Sequence, residues 1–321
     1  MARDVLSEGV NESEDGMTRI GFVGLGAMGS RMAGRFLAAG HEVYGTNRTP
    51  AKAAPLIERG LTWGKTPRDV ARSAEVTFSM IQDDAALTAI ASGPNGILAG
   101  LAPGKVWIDM STVSPAAALA FAESTRQLGA AMLSAPVSGS INAADQGSLE
   151  ILAGGDAEIF ARVEPLLREL GARVTRIGTN EQALFMKIAI NISIAEQMLA
   201  FSEGVLLAER GGIARELAVE IMTASAIGSP MLKARAPFVL ELPREPWFSL
   251  RLMQKDLRLA LDASETLGVP LPGAAVSDEI ITLARELGYG ERDVASLFQV
   301  LSRLAGSAAS RADTSGATPG E

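Results

Sequence analysis

From Arg19 to Gly178 short apolar runs alternate with stretches of helical periodicity, and after Gly178 the strand signals stop. The runs read RIGFVG, HEVYGTN, EVTFSMI, KVWIDM, AMLSAP, LEILAGG and RVTRIG. Such alternation predicts an α/β domain whose parallel sheet is covered by helices on both faces. Helical periodicity then continues to about Leu304, which predicts an all-α second domain. At 321 residues the chain exceeds the size one core usually serves, so two domains are expected. The expected boundaries are 17–179 and 180–305, with disordered tails at 1–16 and 306–321, where Ser, Gly, Ala and charged residues leave little to bury. A proline-free helix over 181–210 opens the second domain and would extend roughly 45 Å. It is expected to form a wall between the domains, where ligand clefts are common. Further helices are expected at 214–226, 249–267, 273–287 and 291–304, punctuated by Gly268, Pro270, Pro272, Gly288 and Gly290.

The first run leads directly into Gly24-Leu25-Gly26-Ala27-Met28-Gly29 and then a helical stretch. In a Rossmann-type domain the first glycine permits a tight turn, the second lets the backbone approach a pyrophosphate, and the third lets helix and strand pack closely. The helix start offers N–H groups and a positive dipole end to phosphates. A glycine-rich turn without a ligand is the competing reading. Cofactor choice is informed by the end of the second run, where an NAD site usually has an acidic residue for the ribose hydroxyl. Here Thr46, Asn47, Arg48 and Thr49 stand instead. A guanidinium suits a 2′-phosphate, so Arg48 favours NADP(H) while leaving NAD(H) possible; as an alternative it is a solvated loop arginine. Ala27, Met28, Met80 and Ile81 complete the residues expected on the cofactor side.

Composition narrows the chemistry. There is no cysteine, which excludes thiolate nucleophiles, disulfides and thiolate metal sites, and no metal site of any kind is expected. The formal net charge of −8 argues against nucleic acid as the main partner, and its simpler reading is that it aids solubility. No apolar run is expected to reach the ~20 residues that a bilayer requires, and MARDVLSEGVNESEDG does not resemble a signal peptide. A cytoplasmic location is the expectation. The one histidine, His41, falls in the turn before the second run, away from any suggested site.

A redox site that moves hydride must also move a proton, and with imidazole misplaced a lysine is the economical substitute. Lys187 and Asn191 stand at i and i+4 in the apolar stretch FMKIAINISIAEQ and so share one helix face. Burial disfavours an ammonium and makes a lysine a better base, whereas a bound carboxylate acts in the opposite sense. An amide such as Asn191 both donates and accepts, and so can hold a substrate oxygen. The alternative is a Lys187 that snorkels to solvent. Ser111 and Thr112, after Asp109 at a strand end, are expected to point their hydroxyls into the crevice; Ser114 before Pro115 reads equally well as a helix cap. Ser138, Gly139 and Ser140 are candidates for an anion-binding nest that holds a carboxylate. Lys255 is a candidate for reaching cofactor or substrate, while Asp256 is expected to pair with Lys255 or Arg258.

GFVGLGAMG, DMST, APVSG followed by QGSLEILAGG, the Lys187–Asn191 pair and KDL at 255–257 together resemble the β-hydroxyacid dehydrogenase family over about residues 18–305. That family includes 3-hydroxyisobutyrate dehydrogenases and tartronate semialdehyde reductases. The resemblance implies Lys187 as acid/base with Asn191 assisting, a small acid substrate held by Ser138 and Gly139, and Ser111, Thr112 and Lys255 near nicotinamide or cofactor. It also implies a homodimer or homotetramer. Ser134 stands where the family often has Asp, Ser140 replaces a glycine, and Asn142 and Ala143 occupy a stretch where the family commonly has small residues and glycine, which bears on substrate identity more than reaction type. Two other readings compete: an imine reductase, which shares the Asn-Arg-Thr turn but generally lacks the lysine, and a non-catalytic scaffold of the same fold.

Overall fold

The computed structural model describes residues 17–315, with side chains described as far as residue 306. The expected tail at 1–16 lies outside the described residues, as does 316–321. Nine strands form one sheet: β1 Arg19–Val23, β2 Glu42–Thr46, β3 Thr62–Trp63, β4 Val76–Ser79, β5 Val106–Asp109, β6 Ala131–Ser134, β7 Val137–Ser138, β8 Glu150–Gly154 and β9 Arg173–Gly178. Their order is β3-β2-β1-β4-β5-β6-β8-β7, with β9 also paired to β8. Every run named from the sequence contains a strand; β3 and β7 carry no sequence signal, because two residues are too short to show a period.

From β3 to β6 all pairs are parallel. Beyond β6 the expectation of a parallel sheet needs correction, because β8 runs antiparallel to both β6 and β7. Between β7 and β8 there is only the short helix Ile141–Gln146, so the chain folds back there instead of making a full crossover. The central strands are apolar on both faces: Ile20, Phe22, Val76, Phe78, Val106 and Ile108 pack on one side, and Val23 and Trp107 join the other. Burial on both faces is why these strands carry apolar or small buried residues at nearly every position, with only a few buried polar ones such as Thr77 and Ser79. The strand order reverses between β1 and β4, and the carboxyl ends of those strands form the crevice where doubly wound sheets take ligands.

The chain divides into two compact units after Lys187, inside the helix Asn180–Arg210. An 18-residue window of this helix has mean hydropathy 1.4, so by length and composition it is apolar enough to cross a bilayer, contrary to expectation. Its apolar residues have another use: Leu184 belongs to a core of the first unit, and Ala195, Met198, Leu199, Phe201 and Val205 to the core of the second. No strand is assigned after β9 among the described residues. The second unit contains helices Arg215–Ala224, Pro230–Arg235, Pro237–Leu240, Leu250–Leu267, Pro272–Glu286 and Leu297–Ser315. The last continues beyond the expected stop near Leu304, because no proline intervenes before Ser315 and alanines favour the helix. Within this unit the buried Asp293 carboxylate takes two contacts from the Arg235 guanidinium, at 2.8 and 3.0 Å, and accepts N–H bonds from Trp247, Phe248 and Ala295. That fastens the segment leading to Ser249, the cap of helix Leu250–Leu267.

Candidate active site

The three glycines after β1 meet three different demands. Gly24 has φ +98°, and a side chain there would overlap the Met80 carbonyl oxygen. Gly29 lies so near Gly24 that a methyl group would overlap the Gly24 carbonyl oxygen. Gly26 is different: its φ is −82°, which any residue adopts, and a methyl there would meet no atom within 4 Å. The fold itself therefore does not require glycine at 26. Open space beside a bare backbone is what close approach of a ligand requires, so the cradle fits a dinucleotide pyrophosphate. Gly26 also begins the helix Ala27–Ala38 without a side-chain cap, whereas Thr66, Asp83 and Ser114 cap the helices that follow β3, β4 and β5. Ala27 is exposed and Met28 half-buried.

At the end of β2 the Asn47 amide is committed to the loops themselves. Its Oδ1 accepts Leu25 N–H at 3.1 Å and its Nδ2 donates to the Thr49 carbonyl at 3.1 Å. Asn47 therefore ties the glycine loop to the next loop. Arg48 and Thr49 are exposed, and Arg48 makes no hydrogen bond or ion pair among the described residues. Its guanidinium is uncommitted at the position where a 2′-phosphate would be read.

The hydroxyls after β5 divide between duties. The Ser111 side chain is fully buried, accepts Ile81 N–H at 2.9 Å and donates to Asp109 Oδ1 at 2.8 Å. The expectation that this hydroxyl faces the crevice is therefore corrected, because a buried peptide N–H and a buried carboxylate both need partners. Thr112 is half-buried, as are Met80 and Ile81. Ser114 is a cap, accepting Ala117 N–H at 3.1 Å. Ser140 likewise caps Ile141–Gln146 by accepting Ala143 N–H at 3.3 Å, so its hydroxyl serves the loop. Ser138 is half-buried at the end of β7, and Gly139 is exposed with φ +140° and Leu149 and Ala143 close to where a side chain would project. Ser134 is buried, with its N–H held by Asn180 Oδ1 at 2.6 Å.

His41 is occupied elsewhere, as its place in the sequence suggested. Its Nδ1 accepts Thr18 N–H at 3.2 Å, which leaves Nε2 to donate to Glu169 at 2.8 Å. Lys187 is only 8% exposed and Asn191 2%, one turn apart on the helix Asn180–Arg210. Most of the Lys187 side chain is thus withdrawn from solvent. The Asn191 amide nitrogen donates a short hydrogen bond to Asp256 Oδ2, and Lys255 Nζ pairs with Asp256 Oδ1 at 2.6 Å. Asp256 is 2% exposed, and Arg258, the other partner considered for it, pairs with Asp278 instead. Asp256 thus joins two candidates from different helices. Sequence spacing could not show this, because the contact links residues 65 positions apart.

Residues 19–178 match the family described as the NAD binding domain of 6-phosphogluconate dehydrogenase, and residues 182–301 match NAD-binding of NADP-dependent 3-hydroxyisobutyrate dehydrogenase. Glyoxylate/succinic semialdehyde reductase 2 of Arabidopsis thaliana is 33% identical over 288 residues, 90% of this chain and 80% of that protein. The 2-hydroxy-3-oxopropionate reductase of Escherichia coli K12 is 32% identical over 287 residues, 89% of this chain and 98% of that protein. The Homo sapiens cytokine-like nuclear factor N-PAC is 31% identical, and the chain spans about half of it, 51%. Among solved structures, Psf3 in complex with NADP+ and 2-OPP superposes with a TM-score of 0.81 at 26% identity, covering 88% of this chain and 99% of that one.

Proposed function

We propose that this chain, which belongs to the β-hydroxyacid dehydrogenase family, uses Lys187 as the acid/base of an NAD(P)-dependent oxidoreduction between a small 3-hydroxy acid and its carbonyl form. The two NAD-binding matches support the cofactor class, and the named reductases among its relatives support the substrate class. The observation that carries the reading is the burial of Lys187 one helical turn from Asn191, on the helix face that also buries Ala183, Leu184 and Ile188. An amine withdrawn from water in this way needs a task that a surface lysine does not have.

When bound, the nicotinamide supplies or takes the hydride. In the reduction direction Lys187 Nζ protonates the substrate oxygen as it becomes an alkoxide, and in oxidation the neutral amine accepts the hydroxyl proton. Asn191 has its amide nitrogen fixed by Asp256, so its carbonyl oxygen is turned the other way and acts as an acceptor that orients the ammonium or the substrate hydroxyl. Ser138 and the N–H groups of Gly139 and Ser140 bind the substrate carboxylate, and Thr112 lies with them on the substrate side. Gly26 gives backbone access to the pyrophosphate, and Arg48 reads the 2′-phosphate, which favours NADP(H) over NAD(H). Lys255, its charge balanced by Asp256, is the second cation we assign to cofactor or substrate.

Lys187→Ala is the direct test. The variant is expected to bind NADPH, read by fluorescence, while losing about 10²–10⁴-fold in kcat; full turnover would remove the lysine from the mechanism. A panel of 3-hydroxyisobutyrate, serine-type 3-hydroxy acids, short semialdehydes and cyclic imines assigns the substrate, and preferential turnover of imines would refute the hydroxy-acid reading. A homodimer or homotetramer and a cytoplasmic location belong to the same proposal. Light scattering of the purified protein and cell fractionation test them.

A further inference from the structure

We propose that Ser111 and Asp109 form a buried brace that positions the cofactor loop after β4, and that Ser111 acts through Ile81 rather than by touching substrate. The proposal rests on the reading that the glycine loop seats a dinucleotide. Register pairing places Ser79 of β4 beside Asp109 of β5, at the carboxyl ends of the two strands. Asp109, Ser79 and Ser111 are all within 1% of complete burial. Asp109 Oδ1 accepts Ser79 Oγ at 2.6 Å and Ser111 Oγ at 2.8 Å. Each hydroxyl has one proton, and each is committed to the carboxylate. The two hydroxyl oxygens are then free to accept: Ser79 Oγ takes Trp107 Nε1–H at 2.8 Å, and Ser111 Oγ takes Ile81 N–H at 2.9 Å. Donor and acceptor directions are thus fixed throughout, from the indole at one end to a loop peptide at the other.

The loop held in this way is the one that borders the glycine turn. The Met80 carbonyl lies where a side chain on Gly24 would project, and Met80 N–H is bound to the Val23 carbonyl at 3.0 Å. Two further ties run from the β5 loop to the β4 loop: Met110 N–H to the Ser79 carbonyl at 2.9 Å, and Ser114 N–H to Asp84 at 2.8 Å. Of the three ties, only the one through Ser111 depends on a side chain anchored in a buried carboxylate. A loop fixed before the cofactor arrives does not have to be ordered by binding, and this lowers the cost of association. An unpartnered Ile81 N–H, by contrast, would draw the loop toward other acceptors or water.

Ser111→Thr and Ser111→Val test this as a matched pair, since both add a methyl group and only threonine keeps the hydroxyl. By NADPH fluorescence titration, the valine variant is expected to bind about tenfold more weakly than the threonine variant, the loss of one buried hydrogen bond. Amide hydrogen exchange across residues 80–84 should accelerate in the valine variant and stay slow in the threonine variant, without cofactor present. The KM for the carbonyl substrate should move less than twofold between them. If the added methyl prevents folding, Ser111→Ala against wild type gives the same comparison without added volume. Equal Kd and equal exchange in the pair would overturn the proposal, and so would a substrate KM that rises while the NADPH Kd stays fixed. Trp107→Phe removes the donor at the other end and should leave exchange at 80–84 within twofold; equal acceleration there would mark a general loss of packing and also overturn it. A wild-type protein that does not bind NADPH would refute the dinucleotide reading, while the exchange measurement would still decide the brace.

Discussion

Replacing Gly26 with alanine separates what the fold needs from what the cofactor needs. At this position φ is −82° and no atom lies within 4 Å of an added methyl, so the protein accommodates the side chain. Alanine is a poorer helix cap than glycine by roughly 0.5–1 kcal/mol. It also restricts the unfolded chain, which stabilises by about 0.4–1 kcal/mol at a compatible backbone. These terms nearly cancel, so stability should stay within about 1 kcal/mol of wild type, a change in Tm of no more than about 2–4 °C. The cost falls on binding. A methyl between backbone and pyrophosphate removes at least one charge-assisted hydrogen bond, about 1.5–3 kcal/mol, which corresponds to a ten- to roughly 200-fold rise in Kd. Gly29→Ala is the contrasting case: its methyl would overlap the Gly24 carbonyl, so it should lose about 1–3 kcal/mol of stability through overpacking. Thermal melts read by circular dichroism and NADPH titration of both variants complete the experiment. A Gly26→Ala protein with unchanged Tm and unchanged Kd would refute the reasoning, because the open space would then not be where the pyrophosphate lies.

Arg48→Ala should lower kcat/KM for NADP+ by about tenfold while leaving NAD+ nearly unchanged, in line with one lost charged contact; an unaltered NADP+/NAD+ ratio would assign the 2′-phosphate to another residue. Asp256→Asn preserves shape but removes the charge facing Lys255 and lets the Asn191 amide adopt either orientation, so kcat should fall about tenfold with NADPH still bound. A kcat indistinguishable from wild type would show that Asn191 needs no such hold. Asp293→Ala leaves the buried Arg235 guanidinium and three backbone N–H groups, those of Trp247, Phe248 and Ala295, without their acceptor. About 3–5 kcal/mol should be lost, a drop of roughly 6–20 °C in Tm; a loss below about 1 kcal/mol would mean that water replaces the carboxylate at little cost.

How the fold could be read from the sequence is clearest in its strands. Burial on both faces leaves Val76–Ser79 and Val106–Asp109 rich in Val, Ile, Phe and Trp and free of exposed charge, and that texture survives in a linear string. Direction does not. Whether β8 runs with or against β6 depends on what lies between them, and the short helix Ile141–Gln146 carries no signal that distinguishes a fold-back from a crossover. The same limit applied to helix Asn180–Arg210: its existence was legible from thirty-odd residues without proline, whereas the way its apolar residues divide between two cores was not. The helix Leu297–Ser315 runs past its expected end because the alanine-rich composition that reads as a tail also carries helix propensity.

For the site, legibility followed what each residue type is obliged to do. A glycine at Gly24 or Gly29 answers to backbone geometry, which local spacing encodes, so the loop was found from the string alone. An ammonium such as Lys187 in an apolar stretch is conspicuous because few residues tolerate that setting. Hydroxyls and amides gave no such signal. Ser111, Ser114, Ser140 and Asn47 all stand at loop positions suited to touching a ligand, and the structure spends each side chain on a peptide N–H of the protein itself. Loops that end buried strands leave peptide groups without ladder partners, and a short polar side chain nearby is the cheapest acceptor. The prior for a serine or asparagine at a strand end should therefore begin with the fold's own unmet hydrogen bonds. A ligand has a claim only on the polar groups left over, and here Arg48 is one whose side chain the fold does not use.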